Sequence, residues 1–217
     1  MKKLANMSLH LILFLFFISS GSLSNALAGQ FSAKISNVEG KPVRDAVVSL
    51  TPIGPDASKR KISLNKTATM DQIYNEFDPH VLPVQVGTSV HFPNSDNIHH
   101  HVYSFSKAKL FELKLYSSTE TKTVTFDKPG VVVLGCNIHD WMIGYVYVAD
   151  TPHFLKSNAQ GEILISDVPS GNYRMDVWHP RLKGDPKSLA KEIVISDSAA
   201  YKTDITLLLK KKKKKNI

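Results

Sequence analysis

The chain has 217 residues, 42% of them hydrophobic, and a formal net charge of +8. Eight of the 27 basic residues are Lys2, Lys3 and the run Lys210–Lys215, which leaves 19 basic residues against 19 acidic ones. This balance argues against a broad basic face, so we expect no nucleic-acid partner. The chain has one cysteine, Cys136, so an intramolecular disulfide is excluded. We therefore look for another role for this thiol.

The first 28 residues have the pattern of a secretory signal peptide. Lys2 and Lys3 precede an apolar run from Leu11 to Ile18, and the small residues Ala26 and Ala28 mark a cleavage site. The apolar run is too short to span a bilayer, and no later segment is a transmembrane candidate. The pattern therefore predicts an exported protein, located in the periplasm if the source is a bacterium.

Strand signals dominate the rest of the chain. Short runs rich in β-branched and aromatic residues are separated by Gly, Pro, Asn and Asp, and Tyr201 to Leu209 alternates apolar with polar residues. The predicted fold class is all-β, a sandwich architecture. Short helical turns are expected only over Asp71 to Phe77 and Ser104 to Leu115.

Two segments that flank the middle of the chain share one style of sequence. Each combines strand runs with a Gly- or Pro-containing turn, and glycine supplies the positive φ that a tight turn needs. Together they resemble the small β-sandwich of the transthyretin-like, carboxypeptidase-regulatory type. The matching residues are Gly40, Pro42, Ala46 and Val48 in the first segment, and Gly161, Pro169, Gly171 and Tyr173 in the second.

The middle of the chain interrupts this pattern and is interpreted as a second sandwich, inserted in or packed on the first. The predicted division is a signal peptide (1–28), the first part of the transthyretin-like sandwich (29–66), an inserted domain (67–150), the second part of the sandwich (151–209) and a lysine-rich tail (210–217). A lysine run at a chain end is usually a solvated tail, and weak contact with an anionic membrane surface through Lys210–Lys215 is the alternative.

The most specific motif is a Cys-x-x-His-x-x-Met loop formed by Cys136, His139 and Met142. Thiolate, imidazole and thioether together suit an ion that changes between Cu(I) and Cu(II), because sulfur favours the reduced ion and imidazole serves both. A second imidazole would come from the run His99–His101. Strand alternation places His99 and His101 on the face opposite His100, so only one of the two faces can supply the ligand, His100 on one and His101 as the alternative on the other.

Val84 to Met142 resembles a cupredoxin of the plastocyanin and amicyanin type. Gly87 to Val90 and Asn94 to Asp96 match the strand and the Asn-Asp loop of that family, and the Cys136 loop has the short spacing of amicyanin. The resemblance implies a Greek-key cupredoxin sandwich with one copper ion on His100, Cys136, His139 and Met142. The combination with the flanking sandwich resembles exported proteins labelled methylamine utilization proteins, a label that does not establish a substrate.

Two positions depart from the family pattern. His101 stands where the family usually has Asn, and Ile138 stands where it commonly has Pro. Trp141, inside the loop, either packs over the loop or presents an apolar patch to a redox partner. We favour packing over the loop.

The resemblance implies a type 1 (blue) copper protein, an electron carrier that works with one or more redox partner proteins and is not an enzyme. Three alternatives remain: copper carriage, storage or sensing without electron transfer; copper catalysis; and a scaffold protein with a vestigial site. Copper oxidases and nitrite reductases need further histidine motifs, and this sequence has no second set of them. A complete ligand set argues against the vestigial site.

Overall fold

The computed structural model describes residues 29–59 and 66–211, so the predicted signal peptide and residues 212–217 of the tail lie outside the described residues. In these ranges no helix is long and apolar enough to cross a membrane. Besides two short 3-10 helices, Gly54–Lys59 and Pro186–Leu189, the regular structure described is all strand. The strands are β1 (Gly29–Asn37), β2 (Val47–Pro52), β3 (Thr67–Thr69), β4 (Asp71–Ile73), β5 (Glu76–Asp78), β6 (Val81–Gln85), β7 (Thr88–Phe92), β8 (His100–Ser106), β9 (Lys109–Tyr116), β10 (Lys122–Phe126), β11 (Gly130–Cys136), β12 (Ile143–Ala149), β13 (Phe154–Lys156), β14 (Glu162–Val168), β15 (Gly171–Trp178), β16 (Lys191–Ile195) and β17 (Tyr201–Leu207).

The strands at the two ends of the described chain form one sandwich, called here the flanking sandwich. One sheet has the order β14-β1-β17 and the other the order β13-β2-β15-β16. In β1, Phe31, Ala33 and Ile35 are buried at every second position, as expected for a strand with one face on a core. They pack with Leu50 and other apolar side chains of the opposite sheet in one hydrophobic cluster.

The strands between β2 and β13 form a second sandwich, called here the central sandwich. A sheet of order β10-β7-β3 faces a sheet of order β6-β12-β11-β8-β9, and β4 and β5 form a separate hairpin. Val90 and Phe92 from the first sheet share a buried cluster with Val132 and Leu134 from the second. The predicted all-β fold of packed sandwiches is thus confirmed.

Two of the predicted turns depend on glycine. Gly40 has φ of 76° and its N–H donates to the carbonyl of Asn37 at 2.9 Å. Gly161 has φ of 74°, and a Cβ atom there would lie 2.2 Å from the carbonyl oxygen of Ile35. Only glycine allows both the positive φ and this close approach of two backbones.

The expectation of helical turns in two segments is wrong. Residues 71–78 form the hairpin of β4 and β5, because Tyr74 and Asn75 adopt φ of 57° and 56° and so form a tight turn between strands. Ser104 to Leu115 belongs to the antiparallel pair β8 and β9. Over most of β9 partly buried and exposed side chains alternate, which is the period of a strand and not of a helix.

The two sandwiches are joined by specific contacts. The hydroxyls of Ser49 and Tyr147 are 3.0 Å apart, and Lys156 Nζ donates to the carbonyl of Val81 at 2.8 Å. The Trp178 ring of the flanking sandwich lies 5.6 Å and 5.8 Å, between centroids, from the rings of Tyr145 and Tyr147. These contacts hold strand β12, which follows the Cys136 loop, against the flanking sandwich.

Candidate metal centre

The pairing of β8 with β11 brings His100 to Cys136. Cys136 lies opposite Val102, and the N–H of Asn137 donates to the carbonyl of His101 at 3.0 Å. Residues opposite each other in an antiparallel pair share a face, and His100 is two positions before Val102, so all three point to the same side. That side is the core, where His100 is 0% and Cys136 3% exposed.

Three donor atoms meet at this end of the central sandwich. Cys136 Sγ lies 3.7 Å from His100 Nδ1 and 3.9 Å from His139 Nδ1, and all three donors are within 4.8 Å of one another. The two imidazole rings are tilted, with centroids 5.2 Å apart. These three residues are the group of His, Cys, Asp or Glu side chains, within the described part of the chain, whose donor atoms lie close enough together to hold a metal ion.

A turn in the Cys136 loop positions His139. The N–H of Met142 donates to the carbonyl of His139 at 2.9 Å, which closes a four-residue turn between strands β11 and β12. His139 is partly exposed, and its ring lies 5.1 Å from that of Trp141. The Trp141 ring packs on His139 of the loop, as favoured, but it is 51% exposed, so it is not buried as core and also faces solvent.

Asp96 fixes the orientation of His100. Its Oδ2 accepts a hydrogen bond from His100 Nε2 at 2.8 Å, which leaves the Nδ1 lone pair directed toward Cys136. The N–H groups of Tyr74 and Asn75 donate to the same carboxylate at 2.7 Å and 3.0 Å. Burial raises the pKa of Asp96, but these hydrogen bonds, including the one from His100, outweigh it and leave the pKa below its ordinary value.

A buried polar network supports this corner. Asn94 donates to the carbonyl of Tyr116 at 3.1 Å and accepts from the N–H of Asp96 at 3.0 Å. The Tyr116 hydroxyl accepts from Gln72 and donates to the carbonyl of Phe92 at 3.0 Å. Burial raises the pKa of Tyr116 to about 12, so it remains a neutral donor. The network ties the β4–β5 hairpin to the loop before His100.

The remaining sequence-predicted residues lie as follows. His101 is on the opposite face of β8, where its Nε2 pairs with Glu112 Oε1 at 2.8 Å, and His99 is exposed. The structure therefore brings His100, and not His101, to the thiol. Met142 is 1% exposed within the central core and lines the same depression as Cys136. The side chain of Ile138 is half exposed.

Sequence reasoning missed the role of Asp96. It treated the residue as part of a loop motif, although a signal was present, because Asp96 precedes His100 by four positions. The spacing alone does not reveal the contact. It depends on the β4–β5 hairpin, whose backbone N–H groups hold the carboxylate in place.

The donor set fits a copper ion. Protein-bound zinc, a first-row divalent ion like copper, takes bonds of about 2.0–2.3 Å to imidazole nitrogen and thiolate sulfur, and two such bonds at about 110–120° would separate their donors by about 3.3–4.0 Å. The distances of 3.7 Å and 3.9 Å from Cys136 Sγ lie in that interval. Two imidazoles, one thiolate and a thioether nearby are the ligand types of blue-copper sites.

Comparison with known proteins gives partial likenesses only. No protein-family model matches the chain, and no curated protein matches it. A solved structure entitled a novel purple cupredoxin from Nitrosopumilus maritimus matches at 23% identity, covering 38% of this chain and 99% of that one, with a TM-score of 0.35.

Two further structures are similar in part. A copper-containing nitrite reductase from Thermus scotoductus SA-01 matches at 26% identity, with a TM-score of 0.37; the match covers 45% of this chain and 27% of the reductase. A mutant of amicyanin in its reduced state matches at 19% identity, covering 47% of this chain and 98% of amicyanin, with a TM-score of 0.36. Each likeness covers less than half of this chain, so the function proposed below rests on the geometry of the site.

Proposed function

We propose that the chain is an exported type 1 copper protein of the cupredoxin kind that carries electrons in the periplasm. Its ligands are His100, Cys136, His139 and Met142, and it holds one copper ion. The observation that carries the proposal is the meeting of two imidazoles and one thiol, all within 4.8 Å, at one end of the central sandwich.

The protein residues supply a rigid site. Copper, when bound, provides one-electron exchange between Cu(I) and Cu(II). His100 is restrained, because it is fully buried and its Nε2 is bonded to a carboxylate that accepts from two backbone N–H groups. Cys136 is fixed by the pairing of β11 with β8. Donors that do not move between redox states keep the reorganisation on electron transfer small.

His139 is the proposed ligand that is partly exposed to solvent. His100 and Cys136 are buried, whereas His139 is partly exposed and lies against the half-exposed Trp141. Electrons would therefore enter and leave through the His139 edge. With Met142 as a fourth ligand, the set leaves no open position for a substrate, and this favours a carrier over an enzyme.

A Cu(II) titration followed by visible and EPR spectroscopy tests the proposal. The secreted protein should show an intense thiolate-to-copper band and narrow copper hyperfine splitting, and Cys136→Ser should lose both. A pale spectrum that is unchanged in Cys136→Ser would instead support histidine-based copper handling.

Export is tested separately from copper binding. Expressed with residues 1–28 in a bacterium, the protein should be recovered from the periplasm with a mass that corresponds to a chain starting at Gly29. Recovery from the cytoplasm at full length would contradict export and would leave the copper assignment untouched.

A further inference from the structure

A groove of about 1130 Å³ lies between the two sandwiches, next to the metal centre. One wall comes from the central sandwich and includes His80, Trp141 and Tyr145. The other wall comes from loops of the flanking sandwich around Arg44 and Arg181. Residues 209–211, which follow β17, complete this wall. Clefts at the boundary of two packed units are favoured places for binding.

The groove concentrates positive charge in a body that is balanced overall. Five basic side chains line it: Lys41, Arg44, Arg181, Lys210 and Lys211. Asp45 and Asp140 are the acidic side chains in the lining. Asp45 pairs with Lys156 at 3.1 Å and with Arg44 at 3.8 Å, and Lys41 pairs with Glu39 at 3.0 Å, so the excess of positive charge rests on five basic side chains against these three carboxylates. In the sequence, four more lysines, residues 212–215, follow Lys211. Such a cluster attracts an acidic partner and raises its rate of association.

The groove reaches the site through Trp141. This side chain lines the groove, is 51% exposed, and has its ring 5.1 Å from that of His139. Half-exposed tryptophan and arginine are the side chains that most often dominate the energy of a protein interface. A molecule seated in the groove would therefore lie beside the solvent-reached edge of the metal centre.

We propose that this groove docks an acidic, protruding segment of the protein that exchanges electrons with the site. The identity of the partner as a redox protein rests on the proposed function, whereas the binding of an acidic segment does not. A flat anionic bilayer would meet the rim but would not fill a concave groove. A polypeptide segment fills it and contacts Trp141, so the shape favours a protein partner.

Fluorescence anisotropy of a labelled eight-glutamate peptide tests the docking, with copper-free and copper-loaded protein in parallel. At about 0.02 M ionic strength the Debye length is about 20 Å, so salt screens the charges of the groove only weakly. The peptide should bind, and the double variant Lys41→Glu, Arg44→Glu should weaken binding at least tenfold. Both side chains are largely exposed, so the fold should tolerate the change.

A matched control separates the groove from net charge. Lys34→Glu with Lys202→Glu makes the same change of charge on the outer face of β1 and β17, and should alter binding less than twofold. A chain that ends at Lys211 should keep the dependence on Lys41 and Arg44. Equal loss in the groove and control variants, no binding at low salt, or loss of all binding on removal of residues 212–217 would overturn the proposal.

Two further experiments distinguish an acidic protein segment from an anionic lipid surface, and the docking proposal from the proposed copper function. Vesicles of anionic lipid should bind the groove variant and the control variant equally, and weaker binding of the groove variant than of the control would overturn the choice of a protein partner. With copper-loaded, reduced protein, oxidation by hexacyanoferrate(III) should slow at least threefold in the groove variant and not in the control. Failure of the copper site would abolish only this redox experiment, because peptide binding is also measured with copper-free protein.

Discussion

The flanking and central sandwiches bury polar side chains in different ways. In the flanking sandwich, the buried Ser157 satisfies the backbone: its Oγ accepts from the N–H of Ala46 at 2.9 Å and donates to the carbonyl of Val43 at 2.8 Å. In the central sandwich, the pairs Gln72–Tyr116 and Asp96–His100 join polar side chains to each other. Both pairs lie at the end that holds Cys136.

This difference separates architecture from function. A hydroxyl that satisfies a loop carbonyl stabilises the fold whatever the protein does. A side-chain network that orients one imidazole toward a thiol gives a sandwich no stability that an apolar core could not also give. Proteins depart from apolar packing mostly at functional sites, so the central sandwich is where the chemistry should be sought. The tests below begin with the largest expected effect.

Phe31→Ala should remove stability and leave the site intact. Phe31 is 0% exposed in the flanking core and stacks on Tyr201, so the cavity should cost about 3–5 kcal/mol in the free energy of unfolding. Urea unfolding measures the loss, with the half-exposed Leu164→Ala as the control on β14. The copper spectrum of the folded protein should not change. A weaker copper affinity in folded Phe31→Ala would break the distinction between the two sandwiches.

His179→Gln should flatten the loss of stability in acid. Burial lowers the pKa of His179 from 6.5 to about 4, with a smaller contribution from Arg181. The unfolded chain therefore binds a proton before the folded one, so stability falls as the pH drops from about 7 toward 4, by about 2–3 kcal/mol. Urea unfolding of the copper-free protein at pH 7.5 and pH 4.5 measures this slope.

Wild type and His179→Gln should differ in that slope. Burial also lowers the pKa of His153, so part of the acid loss should remain in the variant. Identical slopes in the two proteins would show that His179 does not stay neutral in the folded state.

Asp96→Asn should weaken copper binding without unfolding the protein. Changes in the partner of a ligating histidine typically cost about 10–100-fold in metal affinity, because the imidazole becomes less basic and less well oriented. Competition with a Cu(II) chelator measures the affinity, and the reduction potential should shift as well. Asp71→Asn is the matched control, since Asp71 accepts from Ser95 in the same corner but does not contact His100. An equal effect in both variants would make Asp96 merely structural.

His101→Ala should have the smallest effect. Its imidazole pairs with Glu112 on the exposed face of β8, and surface pairs of this kind contribute about 0–1 kcal/mol. Copper affinity and spectrum should stay within twofold of the wild type. A loss as large as that of His100→Ala would move the ligand assignment to His101.

Local sequence patterns predicted much of this structure. Alternation along Phe31–Ile35 and the glycines at 40 and 161 predicted strands and turns, because period and positive φ are local properties. The hairpin of β4 and β5 was missed, since Tyr74 and Asn75 carry no glycine to signal their turn. The faces of His100 and His101 followed from strand period. The contact of Asp96 with His100 did not, because its position depends on backbone N–H groups 21 and 22 residues away.

The most direct test of the central claim is a crystal structure of the copper-loaded protein, with data collected on both sides of the copper absorption edge. We predict one anomalous peak, bonded to His100 Nδ1, Cys136 Sγ and His139 Nδ1, with Met142 Sδ as the fourth ligand. A peak among His99, His101 and Glu112, or none near Cys136, would contradict the account.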